Sequence, residues 1–389
     1  MQVLRPDHHY GKDVGNRTDS ADNDRLCAVS ARSPYLSDYS AIRQQENRYR
    51  NRLWMESAEA VNSHGVVINL AAASDSSTSN PRIRRTEMMV RLRGEETIAQ
   101  QTNEAGLFLT ITCPSRFHAT RGRGEPNPKY RDATPRDAQR YLCQLWARAR
   151  SALHRESIPI HGIRVAEPHQ DGCPHWHLLL WCSAEKVDRV KEIIHGHALA
   201  DSPTEAGASR YRFKCVDIDH TKGSAVGYIA KYIAKNVDGA LIEAAHARDA
   251  DGQTTETPPQ ESAMRIQGWA STWGIRQLQF FGTAPVSKWR EVRRLRQKVE
   301  SEDIEAARTC ADQGNWAEFS AIAPSLTCFR DLGSRSEPDE IQTLRLVGLI
   351  DRTGELVVTR PDTWVVRAAS DSSTPWTSGN NYTSTSVKT

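Results

Sequence analysis

The stretch Glu167-Pro-His-Gln-Asp-Gly-Cys-Pro-His175-Trp-His177-Leu-Leu-Leu-Trp181 decides how this chain is read. Two extended segments, 161–167 and 175–181, flank a turn that contains Asp171 and Gly172, which predicts a β-hairpin. Side chains alternate faces along a strand, so His175 and His177 point one way and Trp176 the other. Two imidazoles at i and i+2 reach one cation without bending the backbone. A pair of histidines on a solvated strand face is the plainer alternative. The apolar run that follows, Leu178 to Trp181, makes the strand a central one, and a buried polar pair needs partners.

The third ligand is a question of register. With a two-residue turn at Asp171-Gly172, Pro168 would face His175 and Glu167 would point away from the histidines. A loop of three or five residues brings Glu167 onto their face. Pro168 and Pro174 lack ladder N–H groups and argue for the wider loop. Glu167 is therefore the expected third ligand, with His169 as its rival. Two histidines and a carboxylate leave positions open for phosphate oxygens and water. Such a set favours later transition metals by affinity, while phosphodiester chemistry commonly uses Mg²⁺ or Mn²⁺.

Some fifty residues on comes Gly227-Tyr-Ile-Ala-Lys-Tyr-Ile-Ala-Lys235. On a helix, Tyr228, Lys231, Tyr232 and Lys235 form one stripe, and Val226, Ile229, Ala230, Ile233 and Val237 lie opposite. Rim tyrosines with snorkelling lysines would give the same spacing. Phenols placed opposite the apolar stripe fit nucleophiles better than packing. A phenol with a pKa of about 10 is a weak nucleophile at neutral pH, and a nearby ammonium such as that of Lys231 stabilises its phenolate.

The rest of the chain sets bounds. Its 389 residues allow one large or two modest domains, and no apolar run approaches the roughly 20 residues of a membrane span. The N-terminus lacks the apolar core of a signal peptide, so a cytoplasmic protein without membrane partners is expected. The eight cysteines include no C-x-x-C pair and are read as free thiols. Net charge is only +3, but residues 116–150 carry nine Lys/Arg against three Asp/Glu. A basic loop over 116–131 (Arg116, Arg121, Arg123, Lys129) and the segment 290–298 are candidates for phosphate contact, as is Lys235; a solvated surface is the alternative for these charges.

Along the chain, residues 1–45 read as weakly ordered and 46–105 as a helical segment. A core follows over 106–282, then a mainly helical region over 283–366 and a disordered tail over 367–389. Within these, helices are expected at 43–59, 82–101, 134–154, 184–197, 264–281 and 286–308. Strands are expected at 106–113 and 211–218 besides the hairpin. Residues 240–261 read as an exposed insertion. No G-x-x-x-x-G-K-[ST] phosphate loop is present.

The His-hydrophobic-His pair and the two-tyrosine helix together resemble the HUH endonucleases that initiate rolling-circle replication. The closer resemblance is to the bacteriophage replication gene A protein family. It rests on Phe108-Leu-Thr-Ile-Thr-Cys-Pro-Ser-Arg-Phe-His118, Asn127-Pro-Lys-Tyr130, Gly162-Ile-Arg-Val-Ala-Glu-Pro-His169, the hairpin, the tyrosine helix through Gly239, and Trp269-Ala-Ser-Thr-Trp-Gly-Ile-Arg-Gln277. The match covers roughly residues 50–320, and the first 45 residues look unlike the family. The resemblance implies an α+β fold with a central antiparallel sheet and flanking helices, ferredoxin- or RRM-like. It implies Glu167, His175 and His177 as metal ligands and Tyr228 and Tyr232 as nucleophiles that nick single-stranded origin DNA. A 5′-phosphotyrosine and a priming 3′-OH would result, with a host replicative helicase and single-strand-binding protein unwinding the duplex. A non-catalytic origin-binding protein, or a relaxase or transposase of the same superfamily, would share much of this pattern.

Overall fold

A computed structural model describes residues 35–121, 124–219, 221, 223–239, 259–332 and 344–369. The elements begin with α1 (Asp38–Glu56), β1 (Ala58–Asn62), β2 (Val67–Asn69), α2 (Leu70–Asp75), α3 (Pro81–Gln101), β3 (Glu104–Thr112), α4 (Pro135–Arg155), β4 (His161–Pro168) and β5 (Pro174–Ser183). They continue with α5 (Val187–Leu199), α6 (Ala208–Tyr211), β6 (Phe213–Asp217), α7 (Ala225–Val237), α8 (Pro259–Trp273), β7 (Leu278–Phe281), α9 (Val286–Val292), α10 (Glu302–Asp312) and α11 (Trp316–Ile322). The last are β8 (Thr327–Leu332), β9 (Leu344–Ile350), β10 (Leu356–Val358) and β11 (Trp364–Ala368). This is an α+β fold with antiparallel sheets. No helix among the described residues is long and apolar enough to cross a membrane.

The chain divides into two units interleaved in sequence, Met1–Asn47 with Ala99–Gly282 and Arg48–Ile98 with Thr283–Thr389. The first is built on a five-stranded antiparallel sheet in the order β6-β3-β5-β4-β7. The apolar run of β5 sits at its centre, paired with β3 and β4. One face carries Leu107, Leu109, Ile111, Trp176, Leu178 and Leu180, which pack with Leu142, Leu145 and Trp146 of α4 and Val190, Ile193 and Ile194 of α5. Helix α4 starts as its sequence dictates: Thr134 accepts from the Asp137 N–H, Asp137 reaches back to the Thr134 N–H, and Pro135 follows the cap. The other face of the sheet receives α7, whose Val226, Ile229, Ile233 and Val237 are buried.

In the second unit, β11-β1-β2 and β10-β9-β8 form two three-stranded antiparallel sheets. Trp289, Trp316 and Phe319 centre its core, and the Trp316 indole donates to Glu95 at 2.7 Å.

Several expectations change. The segment expected to be helical over 264–281 ends as a helix at Trp273 and finishes as strand β7. Gly274, at φ +62°, terminates the helix, and residues 278–281 pair with β4. The long helix expected over 286–308 is two helices, α9 and α10. The region 283–366 holds four strands beside its helices, and 46–105 holds two; these short strands lack a clean alternation. Helix α1 begins at Asp38, inside the stretch read as weakly ordered, and Tyr35 and Leu36 just before it are buried. The strand expected from 211 begins at Phe213, because Tyr211 closes the short α6. Residues 1–34, 240–258 and 370–389, where disorder and an insertion were expected, lie outside the described residues.

Candidate metal and tyrosine site

The hairpin has the wide loop. Glu167 pairs with His175 and Pro168 with Pro174, and the His169 N–H donates to the Cys173 carbonyl at 2.8 Å. Three residues, Gln170 to Gly172, make the turn, and Gly172 takes φ +81°, a left-handed conformation that glycine adopts without strain. Its carbonyl accepts from the buried Trp269 indole at 2.9 Å, which ties the turn to α8. The odd loop places Glu167, His175 and His177 on one face, next to Thr110 and Thr112 across the β3 pairing.

Glu167, His175 and His177 are all buried, and one ligand atom from each lies within 4.8 Å of the others. The two Nε2 atoms stand 2.9 Å apart, and a Glu167 oxygen is 3.8 Å from His177 Nε2. Ligands at about 2.1 Å from one ion, at right angles, sit about 3 Å apart, so the imidazole spacing fits a shared cation. Burial holds the His177 pKa down at about 3 and that of His175 well below its usual value, with Lys235 and the neighbouring histidines acting in the same direction. Neutral imidazoles present lone pairs, which is the form a metal takes. The Nδ1 of His177 meets the Thr110 hydroxyl at 3.1 Å, the outer partner that fixes a ligand ring. The expected trio could hold a divalent ion. His169, the rival, packs at a tilt against His175, 4.1 Å between centroids, and is not part of the cluster.

Helix α7 lies over this cluster, capped at its start by Ser224. The Tyr232 ring packs on His177 at 4.0 Å between centroids, and Phe108 touches His177, Tyr228 and Tyr232. Lys231 Nζ stands 4.9 Å from the Tyr232 ring centroid. Burial, with Glu167 adding to it, pushes the Tyr232 phenol up to about 12, against the pull of Lys235. Tyr228 is half-buried, one turn before. The structure thus brings both tyrosines, Lys231, Lys235 and the Glu167, His175 and His177 cluster together.

The basic residues are placed differently. Arg116 forms a two-pronged pair with Asp201 (2.5 and 2.9 Å) and lies over Phe117 and Tyr141. Lys129 lies 3.6 Å from Glu205, and Lys235 lies 3.5 Å from Glu167. Arg290 is committed to Glu87 at 2.6 and 2.9 Å. Arg121 is exposed, and Arg123 lies outside the described residues.

Asn236 was missed. Fully buried, it donates to Glu167 at 2.6 Å and to the Tyr232 carbonyl at 2.7 Å, and accepts from Gln277 at 2.8 Å. It falls three residues after Ile233 and seven after Ile229, on the apolar side of the helix. A polar residue interrupting that stripe was the available signal.

Comparison with known proteins assigns the chain to a family. The family model for the bacteriophage replication gene A protein (GPA) matches residues 8–240. The chain belongs to that family. The match starts at residue 8, which corrects the expectation that the first 45 residues are unlike the family. The replication gene A protein of Escherichia phage 186 is 41% identical over 298 residues, covering 74% of this chain and 42% of that protein. The probable replication protein P12 of Pseudoalteromonas phage PM2 is 34% identical over 367 residues, 90% of this chain and 56% of its own length. A probable replication endonuclease from a prophage-like region of Salmonella typhimurium is 38% identical over 274 residues, 69% of this chain and 33% of its own. The chain thus spans between a third and just over half of these relatives. No solved structure matches.

Proposed function

We propose that this gene A family member is a metal-dependent endonuclease that nicks one DNA strand at a replication origin and holds the cut end on tyrosine. The observation that carries the reading is the seating of Tyr232 on His177, 4.0 Å between ring centroids, beside a buried Glu-His-His cluster. The names of the relatives, replication proteins and replication endonucleases, support it. So does the five-stranded antiparallel sheet, which we read as an HUH-type core over residues 106–282.

The chemistry follows from the side chains. The phenol oxygen of Tyr228 or Tyr232, its proton given up, attacks the phosphorus of the scissile phosphodiester. The P–O3′ bond breaks, the departing oxygen takes a proton, and the strand keeps a free 3′-OH. The 5′ end remains as phosphotyrosine, whose bond energy permits resealing without ATP. Glu167, His175 and His177 would hold Mg²⁺ or Mn²⁺, which when bound supplies Lewis-acid stabilisation of the phosphate oxygens. Lys231 stabilises the phenolate of Tyr232. With one tyrosine loaded, the second, a helical turn away, is free to attack a second site. Arg121 is the first choice for phosphate contact among the described residues, because Arg116, Lys129 and Lys235 already face carboxylates, and Arg123 is a further candidate from the sequence. The 3′-OH would prime rolling-circle phage DNA synthesis in the bacterial cytoplasm, with a host helicase and single-strand-binding protein opening the duplex.

The test uses labelled single-stranded oligonucleotides tiling a candidate origin, incubated with protein and Mn²⁺ and run on a denaturing gel. The expected result is a covalent protein–DNA band that chelator abolishes, that survives Tyr228→Phe or Tyr232→Phe, and that the double substitution removes. Tight, salt-sensitive DNA binding without any band would replace this reading with that of a non-catalytic origin-binding protein.

A further inference from the structure

In the first unit a short strap, residues 35–37, leads into α1. Leu36 is buried against Gly268 of α8, where any side chain on that glycine would collide with it. The Leu36 carbonyl accepts from Arg265 at 3.0 Å, and Asp38 accepts from the same guanidinium at 2.6 Å. Ser37 caps the start of the helix by accepting from the Ser40 N–H at 3.2 Å. The strap is thus fixed to α8 on one side. On the other side it meets the candidate site: the Tyr35 N–H donates to the Gln170 carbonyl in the hairpin turn at 3.4 Å.

Tyr35 is strained and buried at once. Its φ is +73°, a conformation that a bulky side chain adopts only when its surroundings impose it, and it is 4% exposed. The Lys235 ammonium lies 5.5 Å from the Tyr35 ring centroid. The same ammonium stands 3.5 Å from Glu167 Oε2, the oxygen that faces His177 at 3.8 Å. One cationic side chain is therefore shared between an aromatic face and a metal-ligand oxygen. A divalent ion at the cluster needs that oxygen too, so lysine and metal compete for it.

We propose that Tyr35 is a positioning residue of the metal centre: its ring holds the Lys235 ammonium partly off Glu167 and so sets how readily the cluster takes a divalent cation. The inference rests on the metal reading given above. An ammonium deprived of the ring settles closer to the Glu167 carboxylate, 3.5 Å away, and the metal must then displace it at greater cost. Cation–π contacts in partly desolvated places are worth enough to shift binding severalfold.

The test is Mn²⁺ binding to the whole chain by calorimetry, in the absence of DNA, with thermal melts of each metal-free variant as the check on folding. Tyr35→Leu is expected to weaken Mn²⁺ binding by about threefold to tenfold, whereas Tyr35→Phe, which keeps the ring face, binds as the unaltered chain does. In a Lys235→Met background, Tyr35→Leu is expected to make no difference, because nothing is left for the ring to hold. Unaltered Mn²⁺ affinity in folded Tyr35→Leu overturns the inference and leaves the metal reading intact. So does an equal loss with and without Lys235, which would make Tyr35 a merely structural residue. Absence of Mn²⁺ binding by the unaltered chain overturns both.

Discussion

Asn236 shows how one side chain joins the two halves of the candidate site. Its amide donates to a Glu167 oxygen and to the backbone of the tyrosine helix, and Gln277, just before β7, donates to the Asn236 oxygen. The buried amide links Glu167 to Gln277, so removing it takes a hydrogen-bond partner from each. Asn236→Ala is expected to cost about 1–3 kcal/mol of stability, read as a lowered urea midpoint. It is also expected to weaken Mn²⁺ binding by about tenfold or more, since ligand orientation is lost with it. An unchanged urea midpoint would show that the amide contributes little to the fold.

At the scale of elements, the hairpin turn carries the geometry. The side-chain period of a strand is two, so the parity of one loop decides whether Glu167 joins the histidines or faces away. Gly172 makes the three-residue turn possible at φ +81°, with the Trp269 indole on its carbonyl. Gly172→Val places a β-branched residue in a left-handed conformation and is expected to lower stability by about 1–3 kcal/mol. Calorimetric melting checks this, with metal binding lost in parallel if the turn re-registers. A variant that melts like the parent would mean that the turn relaxes at no cost.

For the whole molecule, stability against acid depends on carboxylates held ionised. Burial acts against Glu205, yet the Ser115 hydroxyl and N–H and the Arg212 guanidinium hold its carboxyl down at about 2, from 4.5. In the second unit Asp351 is likewise held at about 2 by the hydroxyls of Ser301 and Thr353. A folded pKa below the unfolded one gives stability that is present above about pH 4.5 for Glu205 and 3.8 for Asp351 and is lost as pH falls towards 2. Each unit is therefore expected to weaken across that window. Glu205→Gln should flatten the first unit's share of the loss, measured by urea titrations at a series of pH values. A parallel pH dependence in variant and parent would rule out the Glu205 clamp as its source. That same clamp explains why the basic loop was hard to read: Glu205 lies 90 residues downstream of Ser115, and Asp201, 85 residues downstream of Arg116, neutralises a charge that looks free in the sequence.

What the sequence determined by itself is whatever local periodicity and covalent constraint dictate. The alternation through His175 and His177, the two prolines that widen the loop, the 3.6-residue stripe of Tyr228 and Tyr232 and the Thr134 cap each specify a structure within a few residues. The hairpin and the gathering of Glu167, His175 and His177 on one face were legible for that reason. Strand β7, the short strands of the second unit, the role of Asn236, the pairing of Arg116 and the burial of Tyr35 were decided only in three dimensions. Each depends on a partner distant in sequence. Residues 278–281 become a strand because β4 offers an open edge, and Tyr35 is held in a strained backbone because α8 and the hairpin loop close on it. A side chain's pattern announces which face it occupies; what it meets there is set by tertiary packing.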